Sequence, residues 1–367
     1  MTRYFACCLF LLFAYSVPAQ QLKPGFDADE YIGVLQRCAG QIGHVIYPAS
    51  APKLSWQKVY TSKELGLHNH WELWLSTDKT VMAVNLRGTT RDMDNGLENL
   101  YSAMIPATGA LKINDSTTYN YKFSADARAM VHVGWTIGIC SMLPDIMAHV
   151  NEQYAKGVKQ IIVEGHSQGG SLSFLLSAYL HCQVADGKLP ADLIIKTYCS
   201  AAPKTGNLYF AYDFDYMNRD GWAHTVVSSI DWVPEMPYTI QKIGDVNDVN
   251  PFKSYKVVLK KQNIFVRLYL SHVYNRMTRS TRRAQRRYEK HMGGTAYKFV
   301  RKYLPQFEQP TYTHSLNYVS AGTPVVLVPD DAYYKEFANS KQHVFMHHFF
   351  EQYYFLTNRI YKQQGVH

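Results

Sequence analysis

The sequence predicts an α/β fold with a mainly parallel central sheet and helices on both of its faces. Three observations carry that expectation. Short strand-like runs such as Ile161-Ile162-Val163 and Leu193-Ile194-Ile195 are apolar without alternation, the mark of strands buried on both sides. Helix-like segments alternate with those runs along the chain, which favours parallel strands joined by crossovers. One such joint, IIVEGHSQGGSLSFLL (161–176), passes from apolar strand to apolar helix through Gly-x-Ser-x-Gly, with Ser167 at its centre.

A chain of 367 residues, 47% of them apolar, is long enough to bury a large core. It begins MTRYFACCLFLLFAYSVPAQ: Arg3, an apolar stretch from Tyr4 to about Tyr15, then Val17 and Ala19 as small residues at the −3 and −1 positions of a cleavage site. That pattern predicts a signal peptide over 1–19, since the run is shorter than the roughly 20 residues that span a bilayer. The remainder is expected to be exported, secreted or periplasmic, with no permanent membrane span. Cleavage would remove Cys7 and Cys8, leaving Cys38, Cys140, Cys182 and Cys199. A bridge between Cys182 and Cys199 is disfavoured, because a helix over 167–182 and a strand over 193–199 put them at opposite ends of the sheet. The other pairings and free thiols stay open.

Next comes HWELWLSTDKTVMAVNLRGTT (70–90), which reads as two strands around the turn Ser76–Lys79. Residues 91–125 read as polar and irregular, with one apolar patch, LENLYSAMIPATGAL. A helix is expected after Gly134, interrupted at Pro144. The elbow strand and its helix to about Cys182 follow, then the strand beginning at Leu193. HTVVSSIDWVP (224–234) is a further short strand that ends at Asp231. NYVSAGTPVVLVPDD supplies the last strand before NSKQHVFMHHFFEQYYF, a loop entering a C-terminal helix.

A serine raised between glycines at a strand-to-helix turn stands beside a helix N-terminus, whose free amides favour negative charge on an oxygen under attack. Its hydroxyl needs a base, and the base needs an acid to fix its tautomer. Asp231 fits the acid, on a loop stiffened by Pro234 and Pro237; Asp213, Asp215 and Asp220 fall in the loop before that strand. His132 and His166 precede the acid and suit structural roles. For the base, His347 and His348 stand ahead of His343, because they lie just before the C-terminal helix. Candidate metal ligands are scattered, so neither a metal nor another cofactor is expected.

The net charge is +9, or +8 once Arg3 leaves, and much of it is local: Arg276–Lys302 holds ten basic side chains and one acid, Glu289. No nucleic-acid-binding module accompanies this run, which argues against a nucleic-acid partner. A solvated helix or transient contact with an anionic lipid surface is expected.

Five stretches resemble the class 3 lipase family, the fungal-lipase-like α/β-hydrolases, over roughly residues 70 to 355. They are VNLRGTT, VHVGW, VEGHSQGG, SAAPKTGN and DWVPEMP. The resemblance implies an α/β-hydrolase fold over 20–367 and a secreted hydrolase of lipid carboxylic esters, with Ser167, Asp231 and His348 as triad. It also implies an oxyanion hole from Thr89 and Gln168, the latter through its backbone N–H, and a lid within 91–125. His348 is preferred to His347 because a tyrosine, Tyr353, follows it by five residues. The acid and base are farther apart in sequence than the family pattern, which implies a basic helical insertion at about 245–310, before the last strand. A phospholipase or acyltransferase on the same scaffold, or a surface-binding protein without turnover, are the alternatives.

Overall fold

The computed structural model describes residues 22–43, 56–90, 93–253, 259–260 and 262–362; the signal peptide expected over 1–19 lies outside the described residues. The chain opens with α1 (Ala28–Gln41), started by Asp27, whose carboxylate accepts the amides of Asp29 and Glu30. Strands β1 (Trp56–Thr61), β2 (Trp71–Ser76) and β3 (Val81–Leu86) form an antiparallel meander. The turn between β2 and β3 falls where the sequence places it, with Lys79 at φ +56°.

Residues 91–125 depart from the expectation of irregular chain. They contain α2 (Met93–Leu100), β4 (Met104–Pro106) and a hairpin of β5 (Thr108–Asn114) and β6 (Thr117–Lys122). The apolar patch within the expected lid segment is largely core: Tyr101, Ala103, Met104, Ile105 and Leu111 are buried, and Leu100 alone of its large side chains is mostly exposed.

After β7 (Met130–His132) the chain enters α3 (Val133–Ala155), continuous through Pro144. The expected interruption is absent: Pro144 itself is exposed, while Leu143 and Ile146 beside it are buried in the core and hold both halves in one helix. By length and composition α3 could also cross a bilayer, which the sequence reading did not anticipate; here 67% of its most apolar window is buried in the core.

Strand β8 (Gln160–His166), helix α4 (Gln168–Ala185), strand β9 (Ile194–Ser200), the short β10 (Gly206–Asn207), helix α5 (Leu208–Met217) and strand β11 (Ala223–Ser228) follow. Helix α6 (Ile264–Tyr288) runs through a π-helical segment, Glu289–Thr295, into α7 (Ala296–Val300). Then come β12 (Tyr318–Val319), β13 (Thr323–Leu327), α8 (Asp331–Glu336) and α9 (Phe350–Tyr361).

The main sheet has the order β1-β2-β3-β8-β9-β11-β13, antiparallel across β1-β2-β3 and parallel from β3 to β13. Period-two alternation sends Ile161 and Val163 of β8 to one face and Ile162 to the other. The first face packs under α3 and α4, the second under α1 and α9. This is the expected α/β-hydrolase architecture, with helices on both faces. The four cysteines Cys38, Cys140, Cys182 and Cys199 are buried free thiols, so the open disulfide question resolves to none among the described residues. Burial pushes the Cys182 thiol up to about 11.

Candidate active site

Ser167 sits between β8 and α4 with φ +59° and ψ −126°, a backbone conformation that costs a non-glycine residue of order 1–3 kcal/mol. The neighbours over-determine it. A Cβ at Gly165 would fall 2.3 Å from the backbone of Gly169, and one at Gly169 would fall 2.1 Å from the carbonyl oxygen of Leu86. Only glycine at both positions lets the helix start this close to β8 and β3. The Ser167 amide donates to Ser200 O at 2.9 Å, and the side chain, half-buried, stands at the carboxyl edge of the sheet.

The three residues named from sequence meet there. His348 Nε2 accepts from Ser167 Oγ at 2.8 Å, and His348 Nδ1 donates to Asp231 Oδ2 at 2.7 Å. Asp231 follows β11 and is 3% exposed. Its Oδ1 accepts the Val233 amide at 3.0 Å, and its Oδ2 also accepts the Tyr353 hydroxyl at 2.8 Å. Three donors thus satisfy this buried carboxylate. Burial pushes the Tyr353 hydroxyl well above its ordinary value, so it stays a donor.

His348 lies in a short 3-10 turn, Met346–His348, directly before α9. His347 turns away, bonded to Tyr333 Oη at 2.8 Å and Asn339 Oδ1 at 2.7 Å. His343 is exposed. Asp213 accepts from Ser124 and Asp215 from the Gly322 amide, so neither reaches the serine. His132 caps α3 and stacks on Trp135, with its ring centroid 3.7 Å away.

Behind the site runs a second line of hydrogen bonds that the sequence did not reveal. His166 Nε2 donates to the carbonyl of His348 at 2.7 Å, and its Nδ1 accepts from Ser200 Oγ at 2.9 Å. Ser200 Oγ in turn accepts from Tyr31 Oη at 2.6 Å. Burial depresses the His166 imidazole well below its usual value, so it stays neutral, with a single N–H that points at His348. Thus α1, through Tyr31, supports the loop that carries the imidazole.

Thr89 and Gln168 come together on the other side of the serine. Gln168 is the first residue of α4, so its amide has no partner within the helix. The Thr89 hydroxyl donates to Gln168 Oε1 at 2.8 Å and accepts from Asn99 Nδ2 at 2.9 Å. Gln168 Nε2 donates to Glu98 Oε1 at 3.2 Å, and Asn69 Nδ2 donates to Glu98 Oε2 at 2.7 Å. Glu98 and Asn99, both on α2, were not singled out by sequence; their contacts span up to 70 residues and carry no local signal. Chemically, the site combines a hydroxyl, an imidazole positioned to take its proton, a buried carboxylate behind it and helix-start amides in front.

Comparison with known proteins adds the following. Residues 84–241 match the family described as lipase (class 3). Among solved structures, similarity extends to a triacylglycerol lipase with a serine-protease-like triad, at 18% identity over 57% of this chain and 74% of that one, TM-score 0.42. The triacylglycerol lipase of Penicillium expansum matches at 18% identity over 58% and 75%, TM-score 0.41. The triacylglyceride lipase of Rhizomucor miehei matches at 16% over 57% and 73%, TM-score 0.41. No curated protein sequence matches.

Proposed function

We propose, from the match of residues 84–241 to the class 3 lipase family, that the protein is an exported serine hydrolase of lipid carboxylic esters. The observation that carries the proposal is the unbroken hydrogen-bonded line from Ser167 through His348 to Asp231 at a strand-to-helix elbow.

In this reading Ser167 Oγ attacks the ester carbonyl while His348 Nε2 takes its proton. Asp231 keeps the Nδ1 proton in place and stabilises the imidazolium that forms. The oxyanion faces the start of α4, where the Gln168 amide is the first donor; Thr89 is the second. Because the Thr89 hydroxyl proton is directed at Gln168 Oε1, Thr89 serves through its backbone N–H or after its hydroxyl turns toward the substrate. Each such donor is worth roughly 10²- to 10³-fold in rate. His348 then returns the proton to the leaving alkoxide, giving an acyl-enzyme and the free alcohol. Water, deprotonated by the same imidazole, releases the acid. A lipid substrate is met at a surface, and the basic segment 276–302 suits transient contact with an anionic one. Export rests on the leader over 1–19, and N-terminal sequencing of the secreted protein should then begin at Gln20.

The test is a panel of 4-nitrophenyl esters and triglyceride emulsions, run with the parent and Ser167→Ala. The parent should show an acyl-selective rate, and the variant should lose on the order of 10⁴-fold or more in kcat. Equal rates in both proteins would refute the assignment.

A further inference from the structure

Helix α6 is divided along its axis. Its first two turns, IFVRLYL, are exposed on all sides: Ile264, Phe265, Val266, Leu268, Tyr269 and Leu270 retain between 37% and 80% of their accessible surface. At 100° per residue these six positions run round most of the helix circumference, so this end has no buried face of its own. The helix meets the protein body only farther along, where Thr278, Gln285 and Tyr288 are buried. That second half is cationic. Six arginines fall between 276 and 287, a seventh is Arg267, and the helix contains no acid. None of the seven forms an ion pair with a described carboxylate.

Two exposed turns of large apolar residues exceed the scattered apolar side chains of an ordinary surface, and they need an apolar partner. A second copy of the chain would bring two such arginine-rich helices together, with like charges facing. A nucleic acid would satisfy the arginines and leave the apolar turns in water. A lipid surface bearing negative headgroups satisfies both halves. An interfacial helix lies in the plane of such a surface with its apolar side chains about 5–10 Å deep, an orientation that also leaves the polar residues before Ile264 at the surface. Arg276 begins about 9 Å beyond Leu270 along the helix axis, so the arginines meet the headgroups beside the apolar end. The long stem of Arg267 lets its charge reach that level too.

We propose that α6 is a lipid anchor, its Ile264–Leu270 end entering the apolar layer of an anionic lipid surface while its arginines hold the headgroups. The anchor builds on the surface contact proposed above for segment 276–302 and adds its apolar end, and it is independent of the hydrolytic assignment, since it uses none of the residues around Ser167.

The test uses full-length protein carrying Ser167→Ala, so that lipid is not consumed, and co-sedimentation with phosphatidylcholine vesicles with or without phosphatidylglycerol. Binding is expected to the anionic vesicles, at least about tenfold weaker on the neutral ones, and to fall as salt rises. Phe265→Asp with Leu268→Asp should weaken it by at least about tenfold. Arg279→Gln, Arg283→Gln and Arg287→Gln together should weaken it on the order of 100-fold. Both sets change exposed side chains, and their hydrolysis of a soluble short-chain ester, in a background with Ser167 intact, should equal the parent's. The proposal fails if the aspartate pair binds anionic vesicles like the parent, or if the parent binds neither vesicle. It fails equally if the aspartate pair turns a dimer into a monomer on size exclusion with vesicle binding intact, which would make the apolar end a contact between copies.

Discussion

Asp231 holds three donors at once: the Val233 amide, the His348 imidazole and the Tyr353 hydroxyl. Two of them share Oδ2, so the tyrosine fixes the carboxylate plane in which the imidazole must lie. Tyr353→Phe should therefore lower kcat about tenfold, with KM on a soluble ester nearly unchanged, because no substrate contact is lost. Steady-state kinetics check this, and an unchanged kcat would make the tyrosine a packing residue only. The sequence pointed to this tyrosine solely as a register mark for His348. The line Tyr31, Ser200, His166 was not legible, since residues 169 apart in the chain meet there. What could be read was what local order dictates: a serine between glycines, an acid after a strand, a histidine before a terminal helix.

At the scale of elements, the elbow depends on the absence of two side chains. Gly169→Ala would drive a methyl group into the Leu86 carbonyl, and α4 could make room only by moving away from β3. A destabilisation on the order of 3 kcal/mol is expected, measurable as a lower urea midpoint. A midpoint equal to the parent's would show that the helix start is not so confined. Residues 91–125 misled because the hairpin of β5 and β6 is a ribbon whose Thr, Lys, Asn and Tyr residues give no continuous apolar run, and because α2 is only eight residues long. Pro144 misled because core packing of its neighbours Leu143 and Ile146 outweighs the local cost of the ring. By contrast, the strands β8 and β9 were legible because both of their faces are covered.

Across the whole molecule, sandwiching the sheet between α3 with α4 and α1 with α9 buries imidazoles that must stay neutral. Burial holds His132 at about 3 and depresses His166 well below its usual value. The unfolded chain protonates both near pH 6.5 and the folded chain does not, so the unfolded state binds more protons below that pH. Stability should be fully present above about pH 6.5 and decline on acidification towards pH 3, by about 1.4 kcal/mol per pH unit for each histidine. Urea unfolding across that range measures the slope; a flat profile between pH 6 and 4, in units of about one proton, would mean that these imidazoles are not sealed. The central claim is that one hydroxyl in this molecule is activated by the imidazole beside it. Its most direct test is covalent capture with an alkyl fluorophosphonate, followed by peptide mass spectrometry. The account predicts a single adduct on Ser167, forming on the order of 10³-fold more slowly in His348→Ala; no adduct, or an adduct on Ser167 that forms equally fast without His348, would contradict it.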